Sequence, residues 1–366
     1  MSFQPKRTLA RLKTCPHGGI DFTELRTLGI KSEDIIDFSV STNPFMPPPG
    51  ILESIQITDF DRYPDSKCTE LTYRLAEKLG LLPGRICIGS GTTELIRHIA
   101  MTYFRNRDRI LILEPTYGEY EIASLLANTR LLKYQAHEED NFTPNISDIK
   151  SFVRKYHPRA VFICNPNNPT GKYLSRQEIE EIVNEMEESL LILDEAYASF
   201  VRESWNSFHL TERENIIILR SMTKDYSLPG LRLGYAVACP EIINSIHLTL
   251  PPWNVNGIAQ RAGIVVLEQE EYLRQSLERV REAKQFLTDE ISRLGFKIVS
   301  SDTHYFLVRV GNASNYRLSL LKHGILVRDC TSFGLPEYIR ISPRTLPECK
   351  KLIDSISNLT PGGNIE

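Results

Sequence analysis

The chain predicts an α/β protein: a large domain on a mainly parallel sheet covered by helices, followed by a smaller C-terminal α+β domain. Three observations carry this. Short apolar runs of strand length alternate with segments whose apolar residues recur at helical spacing, the pattern of strand–helix–strand units with both sheet faces covered. These runs close on loops rich in Gly, Asn, Pro and hydroxyl residues, and ligands of open α/β sheets sit at such strand ends. After Pro251-Pro252-Trp253-Asn254 the alternation stops, and a long amphipathic helix leads into further strand-like segments.

With 366 residues the chain has room for two domains, and its 41% hydrophobic content is ordinary for a soluble globular protein. A net charge of −3 gives no basic field, so nucleic acid is not an expected partner. The seven cysteines (15, 68, 87, 164, 239, 330, 349) form no CxxC pair and are odd in number. That fits a reducing cytosol better than a disulfide framework, and their spacing implies no metal site. No apolar run approaches the roughly 18 to 20 residues that span a bilayer. The start, MSFQPKRTLARLKT, is basic without the apolar centre of a signal peptide. A cytoplasmic protein without membrane contact is therefore expected.

Taken in order, residues 1–45 read as an N-terminal arm that packs with the small domain. It carries His17-Gly18-Gly19, an extended stretch from Ile35 to Val40, and Ser41-Thr42-Asn43-Pro44. The large domain is expected over 46–255, opening with a proline-rich loop, Met46 to Gly50. Tyr63 follows in a turn, held extended by Pro64 behind it. Strand Ile86 to Ile88 enters Gly89-Ser90-Gly91-Thr92-Thr93-Glu94, after which Leu95, Ile96, Ile99, Ala100 and Tyr103 repeat at helical spacing. Free backbone N–H groups and the positive end of the helix dipole meet at such a start and stabilise a phosphate. The hydroxyls of Thr92 and Thr93 add donors. By itself the stretch reads equally as a glycine cap without a ligand. A dinucleotide fingerprint needs Gly where Glu94 stands, which disfavours an NAD-dependent enzyme.

Strand Ile110 to Leu113 closes on Glu114-Pro115-Thr116-Tyr117, and strand Ala160 to Cys164 enters Asn165-Pro166-Asn167-Asn168-Pro169-Thr170-Gly171. Ser175 and Glu178 form a capping-box pattern at the next helix start. Strand Leu190 to Leu193 ends in Asp194-Glu195-Ala196-Tyr197. Strand Ile216 to Leu219 leads to Ser221-Met222-Thr223-Lys224 and on to Pro229-Gly230-Leu231-Arg232. A lysine at a strand end can be desolvated, which lowers its pKa and frees the amine for a Schiff base. The nearby hydroxyls and Arg232 would supply phosphate donors. The competing reading of this one stretch is a surface turn with solvated charges.

The small domain is expected over 256–359, with a tail at 360–366. Its long helix carries Leu273, Leu277, Val280, Leu287, Ile291 and Leu294 and stops at Gly295. Strand-like segments follow at Phe296 to Val299, Tyr305 to Val310, Ile325 to Arg328 and Tyr338 to Ile341. Thr345 and Glu348 begin a last helix.

The ordered set of loop motifs, Gly91 to Thr93, Asn165 to Gly171, Asp194 to Tyr197 and Ser221 to Arg232, resembles fold-type I pyridoxal phosphate (PLP) enzymes of the aminotransferase class I/II superfamily. The resemblance spans about His17 to Leu359. It implies that Lys224 forms the imine with PLP, that Asp194 pairs with the pyridine nitrogen, and that Asn168 and Tyr197 bond the ring hydroxyl. Tyr117 would stack on the ring, while Gly91, Thr92, Thr93, Ser221, Thr223 and Arg232 would hold the phosphate. Tyr63 of the partner subunit would reach that same phosphate, implying a homodimer with shared sites. Arg340 would clamp a substrate carboxylate, and Arg328, His17 and Asn43 would surround a substrate phosphate.

Two groups within the superfamily compete. Histidinol-phosphate aminotransferases share the NPNNPTG, DEAY, GLRLGY and RYP motifs. Threonine-phosphate decarboxylases of cobalamin biosynthesis share most of these, and are also similar at His17-Gly18-Gly19, at Asp37 through Pro44, and at Pro252-Trp253-Asn254-Val255-Asn256. Tyr197 follows the aminotransferase pattern, where some decarboxylases carry phenylalanine. The arm and Trp253 tip the expectation to decarboxylation of L-threonine O-3-phosphate to aminopropanol phosphate and CO₂, or of the serine analogue. Histidinol-phosphate transamination is the alternative. A non-catalytic regulatory protein of the same fold is disfavoured because Lys224 is present and no segment reads as a DNA-binding domain.

Overall fold

The structure, a computed structural model, describes residues 3–4, 7–12, 15–45, 47–56 and 61–359. The expected tail at 360–366, Met46 and part of the basic start lie outside the described residues. Among the described residues, thirteen strands run in chain order: β1 Ile36–Asp37, β2 Ile86–Gly89, β3 Arg109–Glu114, β4 Arg130–Gln135, β5 Ala160–Cys164, β6 Leu190–Asp194, β7 Ile216–Ser221, β8 Gly234–Val237, β9 Ile298–Val299, β10 Phe306–Arg309, β11 Ile325–Leu326, β12 Arg328–Asp329 and β13 Tyr338–Ile341. The helices are α1 Phe22–Leu28, α2 Ile51–Gln56, α3 Thr69–Leu79, α4 Thr92–Tyr103, α5 Glu119–Leu126, α6 Ile146–Tyr156, α7 Arg176–Val183, α8 Pro240–His247, α9 Gly257–Leu267, α10 Glu270–Arg293, α11 Ala313–Leu321 and α12 Leu346–Leu359.

Seven strands form the large sheet in the order β2-β8-β7-β6-β5-β3-β4. All pairings are parallel except the two made by β8. Successive side chains of a strand point to opposite faces, so each buried strand feeds two cores. On one face Leu111, Val161, Leu191 and Ile218 meet α3, α6, α7 and α9 through Leu75, Val153, Ile179 and Ala262. On the other, Ile110, Phe162, Ile192 and Leu219 meet α4, α5 and α8 through Ile96, Ala123 and Ile243. The uninterrupted apolar runs of the central strands are the consequence of this two-sided burial.

A four-stranded antiparallel sheet, β12-β13-β10-β9, carries a separate core with α10, α11 and α12, including Leu287, Phe306, Leu320, Ile339 and Leu352. The arm joins this unit: β1 pairs in parallel with β11, and Phe38 is buried in its core.

Two expectations are corrected, and two strands were not foreseen. The segment Ile325 to Arg328 is two strands that pair in different sheets, since Val327 turns the chain from β1 to β13. Strand β4 was not foreseen because its exposure along RLLKYQ is mixed and gives no clean alternation. Strand β8, four residues behind the Pro229-Gly230 turn, was not foreseen either. Finally, α9 was assigned to the small domain from residue 256, yet Ala259, Ala262 and Val266 are buried in the large core. The change of unit falls within α10, whose Leu277 and Val280 pack beside Tyr197 and whose Leu287 and Ile291 enter the smaller core. The capping box at Ser175 and Glu178 is present as expected, and Thr345 and Glu348 pair at the start of α12.

Candidate active site

The carboxyl ends of β2, β3, β5, β6 and β7 point their loops toward one cavity of about 440 Å³. Its walls include His17, Gly91, Thr92, Thr93, Tyr117, Asn168, Asp194, Tyr197, Ser221, Thr223, Lys224, Arg232, Arg328 and Arg340. These sequence-predicted residues, spread over most of the chain, are thus brought together by topology.

At one end the chain forms an anion cradle. Gly91 caps α4 with φ +79, a conformation that a side chain rarely adopts. A Cβ there would lie 2.7 Å from Arg232 Nη2, so glycine is what lets the guanidinium approach the helix start. Arg232 is itself left-handed (φ 57) and donates from Nη1 to the Pro229 carbonyl at 3.0 Å. Ser221 and Thr223 share a hydrogen bond of 3.0 Å, as do Thr93 and the Tyr117 hydroxyl. Hydroxyls, a helix N-terminus and a guanidinium converge, the donor set that a phosphate ester needs.

Lys224 opens on the cavity between this cradle and Asp194. Desolvation by the walls, reinforced by the positive charges of Arg232 and Arg340, brings its ammonium down to about 8. Asp194 is 3% exposed. Burial pushes its carboxyl up to about 6, opposed by a hydrogen bond from the Tyr120 hydroxyl to Oδ2 (2.8 Å) and one from the Ala196 N–H to Oδ1 (3.0 Å). Tyr120 was not foreseen. Its spacing reads as the buried face of α5, and the ring does stack on Phe162 at 4.7 Å, so no sequence signal separates its hydroxyl's task from core packing. Burial also raises Tyr197 to about 12, and Lys224 Nζ lies 5.9 Å from its ring centre.

At the other end stand two buried arginines. Arg340 donates to Asn168 Oδ1 and, from Nη2, to the Ser39 carbonyl at 2.7 Å, leaving its Nε buried without a partner. Such an orphan donor is costly unless an anion meets it. Arg328 donates from Nη2 to the Pro16 carbonyl (2.6 Å) and to Ser332 Oγ (2.7 Å). His17 lies over Tyr117 with ring centres 5.9 Å apart.

Two predicted residues are elsewhere. Asn43 does not line the cavity: Nδ2 donates to the Asp225 carbonyl and to Ser276 Oγ, both at 2.8 Å, and its N–H donates to the Lys224 carbonyl at 2.7 Å. These bonds employ the amide in fixing the lysine loop, so the expected substrate contact is corrected. Tyr63 is 79% exposed and stacks on Trp253 with centres 4.4 Å apart, outside this chain's own cavity.

An amine of lowered pKa, a buried carboxylate and a phosphate cradle at the strand ends of an α/β sheet define the site of a PLP-dependent enzyme, and the residues present fit that cofactor. The chain belongs to the aminotransferase class I and II family, whose profile matches residues 33–356. It is 33% identical over 344 residues to a histidinol-phosphate aminotransferase from Moorella thermoacetica, covering 91% of this chain and 87% of that one. It is 34% identical over 357 residues to the adenosylcobalamin biosynthesis bifunctional protein CobDQ from Leptospira interrogans, covering 94% of this chain but 41% of that protein. Among solved structures, a histidinol-phosphate aminotransferase from Clostridium acetobutylicum has a TM-score of 0.80 at 27% identity, covering 88% of this chain and 98% of that one. An L-threonine-O-3-phosphate decarboxylase from Porphyromonas gingivalis has a TM-score of 0.77 at 25% identity, with the same coverage.

Proposed function

We propose that this chain uses PLP to act at the α-carbon of a small phosphorylated amine or amino acid, in a homodimer whose sites are shared. The observation that carries this is the pair of buried guanidiniums, Arg328 and Arg340, facing the amine of Lys224 across one cavity. One arginine suits an α-substituent and the other a terminal phosphate.

PLP supplies an electron sink for the electrons released at the α-carbon. Lys224, whose amine is neutral above a lowered pKa, would hold the cofactor's aldehyde end and could move a proton at the substrate α-carbon. Asp194, oriented by the Tyr120 hydroxyl, would hold the proton on the pyridine nitrogen. Asn168 and Tyr197 would bond the ring hydroxyl, and Tyr117 would cover the ring face. Thr92, Thr93, Ser221, Thr223 and Arg232 would hold the phosphate ester, together with Tyr63 of the partner subunit. The exposed stack of Tyr63 on Trp253 supports that last role, since an aromatic pair left on the surface suits a second subunit.

Transamination of histidinol phosphate is the reading that the comparisons favour, because relatives so named recur at 29 to 33% identity over most of this chain. Decarboxylation of an O-phosphoamino acid such as threonine phosphate is the second reading, and one observation favours it. The Pro16-His17-Gly18 segment lies in the cavity wall, and Arg328 is bound to the Pro16 carbonyl, so the arm narrows the space that a larger imidazole substrate would need. The decarboxylase from Porphyromonas gingivalis supports the same reading.

The deciding experiment incubates the PLP-loaded protein with histidinol phosphate plus 2-oxoglutarate, and separately with O-phospho-L-threonine and O-phospho-L-serine, while glutamate and CO₂ are measured. Glutamate from the first mixture establishes transamination. CO₂ from either phosphoamino acid without glutamate establishes decarboxylation. Neither product from any of them rejects the phosphorylated-substrate reading.

A further inference from the structure

One cluster beside the cofactor seat has a composition that neither reaction requires. Cys15, His17 and Glu119 each turn one potential ligand atom to a common point, and the thiol sulfur, an imidazole nitrogen and a carboxylate oxygen all lie within 4.8 Å of one another. The first two come from the arm, while Glu119 opens α5 on the large sheet. His17 Nε2 is 3.5 Å from Glu119 Oε1. The other oxygen, Oε2, accepts from Arg97 Nη2 at 2.8 Å and Nε at 3.2 Å. The carboxylate is thereby anchored by its far oxygen and presents the near one, the way an outer-shell partner orients a metal ligand.

Gly118 makes room for the thiol, since a Cβ there would come within 2.6 Å of Cys15 Sγ. The Glu119 side chain is 5% exposed and that of His17 52%. The cluster therefore has a protein wall on one side and an open approach on the other. Bonds to zinc of about 2.0 to 2.3 Å put ligand atoms roughly 3.3 to 3.8 Å apart. An inward shift of about an ångström by the arm would close the present spacing to that range.

Thiolate, imidazole and carboxylate together suit a borderline-soft ion such as Zn²⁺, whereas Mg²⁺ and Ca²⁺ select oxygen. We propose that Cys15, His17 and Glu119 form a zinc site that pins the N-terminal arm to α5 across the mouth of the active-site cavity. Binding displaces the thiol proton and leaves the fourth tetrahedral position to water. It also withdraws His17 from substrate and immobilises Pro16, whose carbonyl holds Arg328, so an occupied site inhibits turnover. That inhibition rests on the cavity being the PLP active site; the binding itself does not.

The test titrates zinc into the PLP-loaded protein against a chromophoric chelator, then repeats the titration with cobalt as a spectroscopic substitute. One tight equivalent per chain is expected, with a thiolate-to-cobalt charge-transfer band in the difference spectrum. Cys15→Ser should abolish the band, and Glu119→Gln should weaken zinc binding by about tenfold or more. Turnover should fall as zinc is added, recover on chelation, and become insensitive to zinc in Cys15→Ser. His17→Asn provides a second variant on the exposed arm, and an unchanged melting temperature in either one excludes unfolding as the cause. Absence of a bound equivalent, or a cobalt spectrum unchanged by Cys15→Ser, would overturn the site. Zinc held through Cys15 with turnover unaffected would overturn its inhibitory role.

Discussion

The lowered pKa of Lys224 follows from where its amine sits, and that can be read without any turnover. Above its pKa an amine is neutral and attacks an aldehyde; below it the group is protonated and inert. With the ammonium lowered to about 8 from the ordinary 10.5, reductive labelling of the cofactor-free chain with a small aldehyde should half-saturate at Lys224 near pH 8. Surface lysines should do so more than two units higher. Mass spectrometry of peptides taken across the pH range checks this, and a Lys224 that tracks the surface lysines contradicts the desolvated site. Arg328 gives a second prediction. Its replacement by alanine removes a charge-assisted contact worth about 1.5 to 3 kcal/mol, so KM for a phosphorylated substrate should rise about 10- to 100-fold. KM for the unphosphorylated analogue should move little, and equal effects would exclude a phosphate contact. At this scale the sequence was legible wherever a reactive side chain followed an apolar run, as at Asp194, Lys224 and Thr92. Tyr120 and Glu119 were not legible, because a polar atom on a helix's buried face looks like packing until its partner on another element, Asp194 or Arg97, is known.

Strands with both faces buried declared themselves as apolar runs, whereas β4 and β8 did not. The first lies at the sheet edge with mixed exposure, and the second is four residues long and embedded in a glycine-containing turn sequence. Yet β8 sets the cradle. A Cβ on Gly234 would lie 2.9 Å from the Thr92 backbone nitrogen and 3.1 Å from the Arg220 carbonyl oxygen, and neither backbone atom can swing aside. Gly234→Ala should therefore pry β8 from the start of α4, costing about 1 to 3 kcal/mol of stability. Thermal melting with and without PLP checks it: the variant should melt lower and gain less from added PLP than the parent. An identical gain would mean that the helix start does not hold the phosphate.

Across the whole molecule, the two-unit arrangement and mainly parallel sheet followed from the rhythm of apolar runs. The boundary did not, because α10 is one continuous amphipathic helix that serves both cores and carries no break in its pattern. No helix among the described residues is long and apolar enough to cross a membrane. The proposed shared site makes a prediction that only an assembly can meet. Tyr63→Ala and Lys224→Ala proteins, each deficient alone, should regain activity when unfolded together and refolded, because a mixed dimer holds one site with both residues intact. Activity that stays at the level of the two separate proteins would argue that each chain works unaided.

The pairing of β1 with β11 joins residue 36 to residue 325, and Ser39 is held by Arg340. A ribosome releasing this chain thus exports Lys224 well before residues 325 and 340, which fasten the arm. During synthesis the early part waits with its arm unattached, and a product cut short ahead of β11 would lack the strand that β1 pairs with.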